Sequence, residues 1–182
     1  MTRDEAYALV KKRLGDTPTL GHVLACEACM RSLAHRFNQD VETWGFAGLV
    51  HDLDLDECAN DPARHTLVAA ELLRASGVGE PIVQAVLGHN NKAERTTLMS
   101  KALWVVDPTT GFITASALIR PSKSTSDLTV ESIKKKMKDK RFAAAVNRDQ
   151  IRACERELDL SLDEFLAICL GAMDAIRNDI GL

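Results

Sequence analysis

The sequence predicts an all-α fold. Apolar residues recur at every third or fourth position through almost every segment, and the alternation of β-branched residues that marks strands is absent. With 46% hydrophobic residues in 182, the chain can bury one proper core and is too short to promise two. Residues 1–182 are therefore expected to form one compact multi-helix domain.

The first helix spans about Asp4 to Leu14 and stops before Gly15-Asp16-Thr17-Pro18. A second runs from about Leu20 to Phe37, and a third from about Glu42 to Asp52. After the acidic turn Asp54-Leu55-Asp56-Glu57, Asp61 reads as an N-cap with Pro62 in the first helical position, and Gly77 closes that helix. The next begins at Glu80-Pro81 and reaches His89. Another covers about Thr96 to Val106, where Pro108 should end or kink it, and the apolar pattern resumes briefly from Gly111 to Ile119. A basic excursion at about 120–147 opens with Arg120-Pro121-Ser122-Lys123 and carries Lys134, Lys135, Lys136, Lys138, Lys140 and Arg141. Two helices close the chain, about Arg148 to Leu158 and Ser161 to Asn178, the latter with Ser161 as N-cap and Glu164 completing a capping box.

A net charge of −3 and 4% aromatic residues argue against a nucleic-acid surface. The N-terminus lacks the basic and then apolar run of a signal peptide, and no stretch is long enough to span a membrane, so a cytoplasmic protein is expected. The helices show no evident interface signature. Cys26, Cys29, Cys58, Cys154 and Cys169 are odd in number and mostly lie within apolar patterns, which fits reduced thiols in a core. Cys26 and Cys29 form a C-x-x-C, but no second pair follows at zinc-finger spacing.

Helical phase separates the histidines. His22 heads the apolar stripe Cys26, Cys29, Leu33 and Phe37, whereas His35 falls in register with Glu27 and Arg31, on the face expected to meet water. By the same test His65 continues into Val68, Ala69 and Leu72. His89 continues Ile82 and Val86, and Asp107 continues Met99 and Leu103. His51 shares a face with Trp44 and Ala47, and Asp52 follows it about 100° further round an ideal helix. A single such histidine reads as a core residue satisfied by a hydrogen bond. Repetition on successive helices reads differently, because buried Asp52 and Asp107 require compensating positive charge and no lysine or arginine lies on their stripes. His22, His51, Asp52, His65, His89 and Asp107 make an N/O ligand set suited to Fe, Mn, Co, Ni or Zn. They are too many for one tetrahedral ion with an open position and about right for two divalent ions.

The order His22, His51-Asp52, His65, His89, Asp107 resembles the HD-domain superfamily of metal-dependent phosphohydrolases. So do the strings Gly48-Leu49-Val50-His51-Asp52-Leu53-Asp54, Leu87-Gly88-His89-Asn90 and Ala102-Leu103-Trp104-Val105-Val106-Asp107. The resemblance covers nearly the whole chain and extends to Asp107-Pro108-Thr109-Thr110-Gly111 and Ala117-Leu118-Ile119-Arg120-Pro121-Ser122-Lys123. It implies a binuclear centre bridged by Asp52 at the positions matching His22, His51, Asp52 and Asp107, with His65 and His89 as the additional ligands. One departure is Asp52-Leu53-Asp54, where better-known relatives carry Asp-Ile-Gly.

The activity expected is cleavage of a phosphate ester or anhydride, of a nucleotide or small metabolite, by metal-activated hydroxide. Asp52, Asp54 and Asp56 are the candidate catalytic carboxylates. Asp54 or Asp56 would orient water or protonate the leaving group, and the competing reading of both is a solvated turn. Arg120, Lys123, Lys134 and Lys138 are the candidate phosphate contacts, set against a plainly solvated basic helix, and Asn90 is a candidate support for the centre. Two other functions fit the same residues: a diiron oxygenase of the same superfamily, and a nucleotide sensor without catalysis.

Overall fold

The computed structural model describes residues 1–15 and 18–182, so the turn positions Asp16 and Thr17 lie outside the described residues. No strand occurs among the described residues, and none of their helices is long and apolar enough to cross a membrane. The helices are α1 (Arg3–Leu14), α2 (Pro18–Arg36), α3 (Val41–Val50), α4 (Leu67–Ala75), α5 (Glu80–His89) and α6 (Leu98–Leu118). After a 3₁₀ turn at Thr125–Asp127 come α7 (Val130–Met137), α8 (Arg148–Arg152), α9 (Cys154–Leu158) and α10 (Leu162–Ala175).

Short polar residues begin most of these helices. Thr2 caps α1 and forms a reciprocal box with Glu5, Asp40 accepts from the Thr43 N–H at α3, and Thr97 and Thr129 do the same for α6 and α7. Ser161 accepts from the Glu164 N–H as expected. The Glu164 carboxylate, however, turns away to take the Arg36 guanidinium at 2.7 Å.

Two apolar clusters flank the centre of the molecule. One joins α1, α3, α4 and α5 through Val10, Leu49, Leu73 and Val86, and the other joins α2, α6 and α10 through Met30, Leu103, Phe112 and Phe165. The α2–α3 crossing is close because Gly48 has no side chain: a Cβ there would stand 2.7 Å from the Cys26 carbonyl oxygen. That approach carries His51, just past the end of α3, up to His22 on α2.

The structure departs from expectation at several places. Pro108 neither ends nor breaks α6, which continues to Leu118. Proline removes the N–H that the Trp104 carbonyl would accept, and the Gln150 amide donates to that oxygen instead at 2.6 Å. The helix placed at Asp61-Pro62 starts only at Leu67. Residues 62–66 are turns, and Thr66 adopts φ 73°, a left-handed conformation that a β-branched residue rarely takes. α3 stops at Val50, so Asp52 stands on a turn. The Glu27 face of α2 is covered, because the Glu27 carboxylate is buried between Arg3 and Arg31 at 2.9–3.1 Å.

Candidate metal centre

α2, the turn after α3, the turn before α4, the end of α5 and the middle of α6 converge on one point. His22, His51, Asp52, His65, His89 and Asp107 all meet there, while His35 stays exposed on the outer face of α2. The Oδ2 atom of Asp52 lies 3.6 Å from His22 Nε2 and 3.4 Å from His51 Nε2. Its Oδ1 atom lies 3.4 Å from His65 Nε2 and 3.3 Å from His89 Nε2. Asp107 Oδ1 joins the first group, 3.1 Å from His22 and 3.9 Å from His51. The Asp52 carboxylate thus divides the cluster, one oxygen facing each half.

Every imidazole is oriented by its Nδ1 atom. A backbone carbonyl only accepts, so His51 donates from Nδ1 to Gly48 O at 2.8 Å and His89 to Val86 O at 2.6 Å. His65 donates to Asp54 Oδ1 at 2.8 Å. The Thr110 hydroxyl donates to the Asp107 carbonyl, which leaves its oxygen to accept from His22 Nδ1 at 3.1 Å. All the Nε2 atoms therefore turn a lone pair inward when the rings are neutral. His22 and His51 bring theirs to 3.2 Å, two acceptors face to face beside two carboxylates. Only positive charge makes that arrangement favourable.

The titration behaviour expresses the same demand. Burial opposes a charge on His51, yet Asp52 and Asp107 outweigh it and raise the imidazole to about 9. Burial likewise opposes a charge on His65, and Asp52 and Asp54 raise it to about 9. Burial would lift Asp52 and Asp107, but the surrounding imidazoles hold both carboxyls far down. Divalent cations fit this donor set. Two nitrogen or oxygen ligands about 2.1 Å from one ion stand roughly 3.0–3.4 Å apart, and the separations within each half are close to that. His22, His51, Asp52 and Asp107 would hold one ion, and Asp52, His65 and His89 a second with room for further ligands.

Asp54 serves neither as a solvated turn residue nor as a free acid or base. It is fully buried, with Oδ1 on His65 and Oδ2 accepting the Ala69 N–H at 2.8 Å, so it positions His65 and caps α4. Asp56 is exposed on its turn. Asn90 donates to the His65 carbonyl at 3.2 Å and so braces the same ligand.

Among the described residues, no hydrogen bond or ion pair joins Arg120, Lys123, Lys134 or Lys138 to the cluster residues. α6 runs about 16 Å beyond Asp107 before ending at Leu118, and Arg120 and Lys123 lie past that end. Lys134 is paired with Asp163 at 2.5 Å, and Lys138 is exposed. The residues flanking the ligands, Arg64 beside His65 and Lys92 close after His89, are exposed cations that belong to no basic run in the sequence.

Cys26 and Thr110 were also missed. Cys26 Sγ sits 3.8 Å from His22 Nε2 and 3.3 Å from Thr110 Oγ1, where burial pushes its thiol up, and with His22 and His51 it forms a group that could also hold a metal ion. Cys29 Sγ points elsewhere, to the Cys169 carbonyl at 3.6 Å. The available signal was spacing: Cys26 is one turn from His22, and Thr110 nearly one turn from Asp107.

A family model described as the HD domain matches residues 19–178. The chain belongs to the HD domain family. HD domains are generally metal-dependent phosphohydrolases, and the His/Asp cluster here offers the groups to hold metal. Comparison with curated proteins returned no match. In this HD domain the matched segment holds every cluster residue, and α1 lies wholly outside it, packed on α3.

Proposed function

We propose that this HD domain is a phosphohydrolase with a binuclear centre, in which Asp52 bridges two divalent transition-metal ions and the substrate is a small phosphorylated metabolite or nucleotide. The observation that carries this reading is the division of Asp52: Oδ2 toward His22, His51 and Asp107, Oδ1 toward His65 and His89. When bound, the ions would supply Lewis acidity, lowering the pKa of water toward neutrality and drawing charge from the phosphoryl oxygens.

The chain's own residues supply position and access. Hydrogen bonds at Nδ1 fix each ring, so little reorganisation is needed during reaction. His89 and Asp52 are 3% and 8% exposed at their side chains, whereas His22 and Asp107 are 22% and 30% exposed. Substrate therefore reaches the cluster from the His22–Asp107 side. Asp54 is engaged at both oxygens, so the proton for the leaving group comes from water in this reading.

The test is metal analysis of purified protein, followed by phosphate release from a panel of phosphate esters and anhydrides with and without oxygen. About two ions per chain and oxygen-independent phosphate release are expected. Oxygen uptake coupled to turnover would make the diiron oxygenase the correct reading. Stabilisation by a nucleotide without cleavage would make it the sensor.

A further inference from the structure

A cleft of about 470 Å³ opens between the first turn of α2 and the C-terminal half of α6. His22 is the cluster residue that lines it, together with Gly111, Thr114 and Leu118. On α6 these continue the face of Asp107 at positions i+4, i+7 and i+11, so the cleft leads away from the exposed edge of the cluster. Its far wall is the segment from Asp179 to Leu182.

We infer that this cleft receives the organic group of a phosphomonoester, and that it selects an uncharged, partly apolar group over one carrying a second anion. The inference deepens the phosphohydrolase reading and rests on it. Hydrolysis there is balanced by water alone: the water oxygen bonds to phosphorus, the ester P–O bond breaks, and the departing oxygen takes a water proton, giving an alcohol and inorganic phosphate.

Three features support it. Gly111 sits in the middle of a helix, where glycine is unfavourable, yet a Cβ there would meet nothing within 4 Å. The space beside it is the cleft. The walls are largely apolar, with Leu20, Leu118 and Ile180 among them, and Leu118 remains 49% exposed. Among the described lining residues, Asp179 is the only charged side chain apart from His22. A carboxylate on that wall repels a second phosphate or carboxyl group and accepts a hydrogen bond from a hydroxyl or amine.

The test compares 4-carbamoylphenyl phosphate with 4-carboxyphenyl phosphate, esters of similar size and leaving group that differ in charge, on metal-loaded protein, by kcat/KM and by ligand-induced thermal shift. The neutral ester should be preferred by about tenfold, and Asp179→Lys should reverse or erase the preference. Gly111→Leu should cut kcat/KM for the neutral ester by about tenfold or more while metal content is kept, since the added side chain occupies the cleft. Equal kcat/KM for the two esters, unchanged by Asp179→Lys, would overturn the cleft assignment and leave hydrolysis standing. Thermal shifts that obey the predicted preference without phosphate release would overturn hydrolysis and leave the cleft standing. If Gly111→Leu fails to fold, the surface substitution Asp179→Lys still decides.

Discussion

Asp54 Oδ1 accepts the Nδ1 proton of His65 at 2.8 Å, and this buried contact ties the metal centre to the start of α4. The other carboxylate oxygen takes the Ala69 N–H, and the pair hold a turn in which Thr66 keeps φ 73°. Asp54→Ala leaves two buried donors unpaired. It should cost about 1–3 kcal/mol of stability and weaken the His65 half of the centre by about 10–100-fold in metal affinity. Chemical denaturation and metal titration check this together. A stability loss with undiminished metal stoichiometry and affinity would reduce Asp54 to a helix cap.

Asp52 bridges the halves of the cluster, whereas His35 lies on the same helix as His22 and faces solvent. Asp52→Ala should remove bound metal and lower activity by at least about a hundredfold, and His35→Ala should change neither. Elemental analysis of both variants is the measurement. Metal content retained in Asp52→Ala would end the bridging assignment.

Removing metal should make stability depend on pH in a defined direction. His51 and His65 rise from 6.5 to about 9 in the folded protein, burial opposing the charge and the adjacent carboxylates overriding it. A base held above its unfolded value stabilises the fold fully below pH 6.5, and that stabilisation disappears as pH climbs through about 9. Chelated protein should therefore lose thermal stability across this window. Metal replaces the protons, so the Tm gap between loaded and chelated protein should widen as pH increases. A gap that narrows would mean that the ions bind elsewhere.

The inward phase of His22, His89 and Asp107 was legible because a helix fixes which residues share a face, and the same rule kept His35 outside; His65 reaches the cluster from a turn, so helical phase does not account for it. What periodicity leaves out is whatever depends on a neighbour. Glu27 looked solvated because nothing on α2 shows that Arg3 of α1 covers it. Asp54 looked like an exposed turn acid because its partners lie 11 and 15 residues on, in a segment whose left-handed Thr66 defeats the Asp61-Pro62 start signal. The lysine run offered phosphate contacts by charge alone beside the reading of a solvated helix, and Lys134 is matched by Asp163 from α10.

Pro108 misled for the same reason, and it yields the sharpest structural test. The helix continues past it because the Gln150 amide satisfies the Trp104 carbonyl at 2.6 Å, the acceptor that Pro108 leaves open one turn earlier on α6. Gln150→Leu should then cost about 1–2 kcal/mol, the penalty for an unpaired, partly buried carbonyl. In a Pro108→Ala background the backbone N–H at position 108 can take over, so the same Gln150→Leu change should cost close to nothing. The double-mutant cycle should give a coupling of about 1–2 kcal/mol, with metal affinity weakened only in the variant that has neither donor, because Asp107 sits between Trp104 and Pro108 on α6. Additive effects would mean that Gln150 stabilises the fold by some contact other than the carbonyl that Pro108 leaves open.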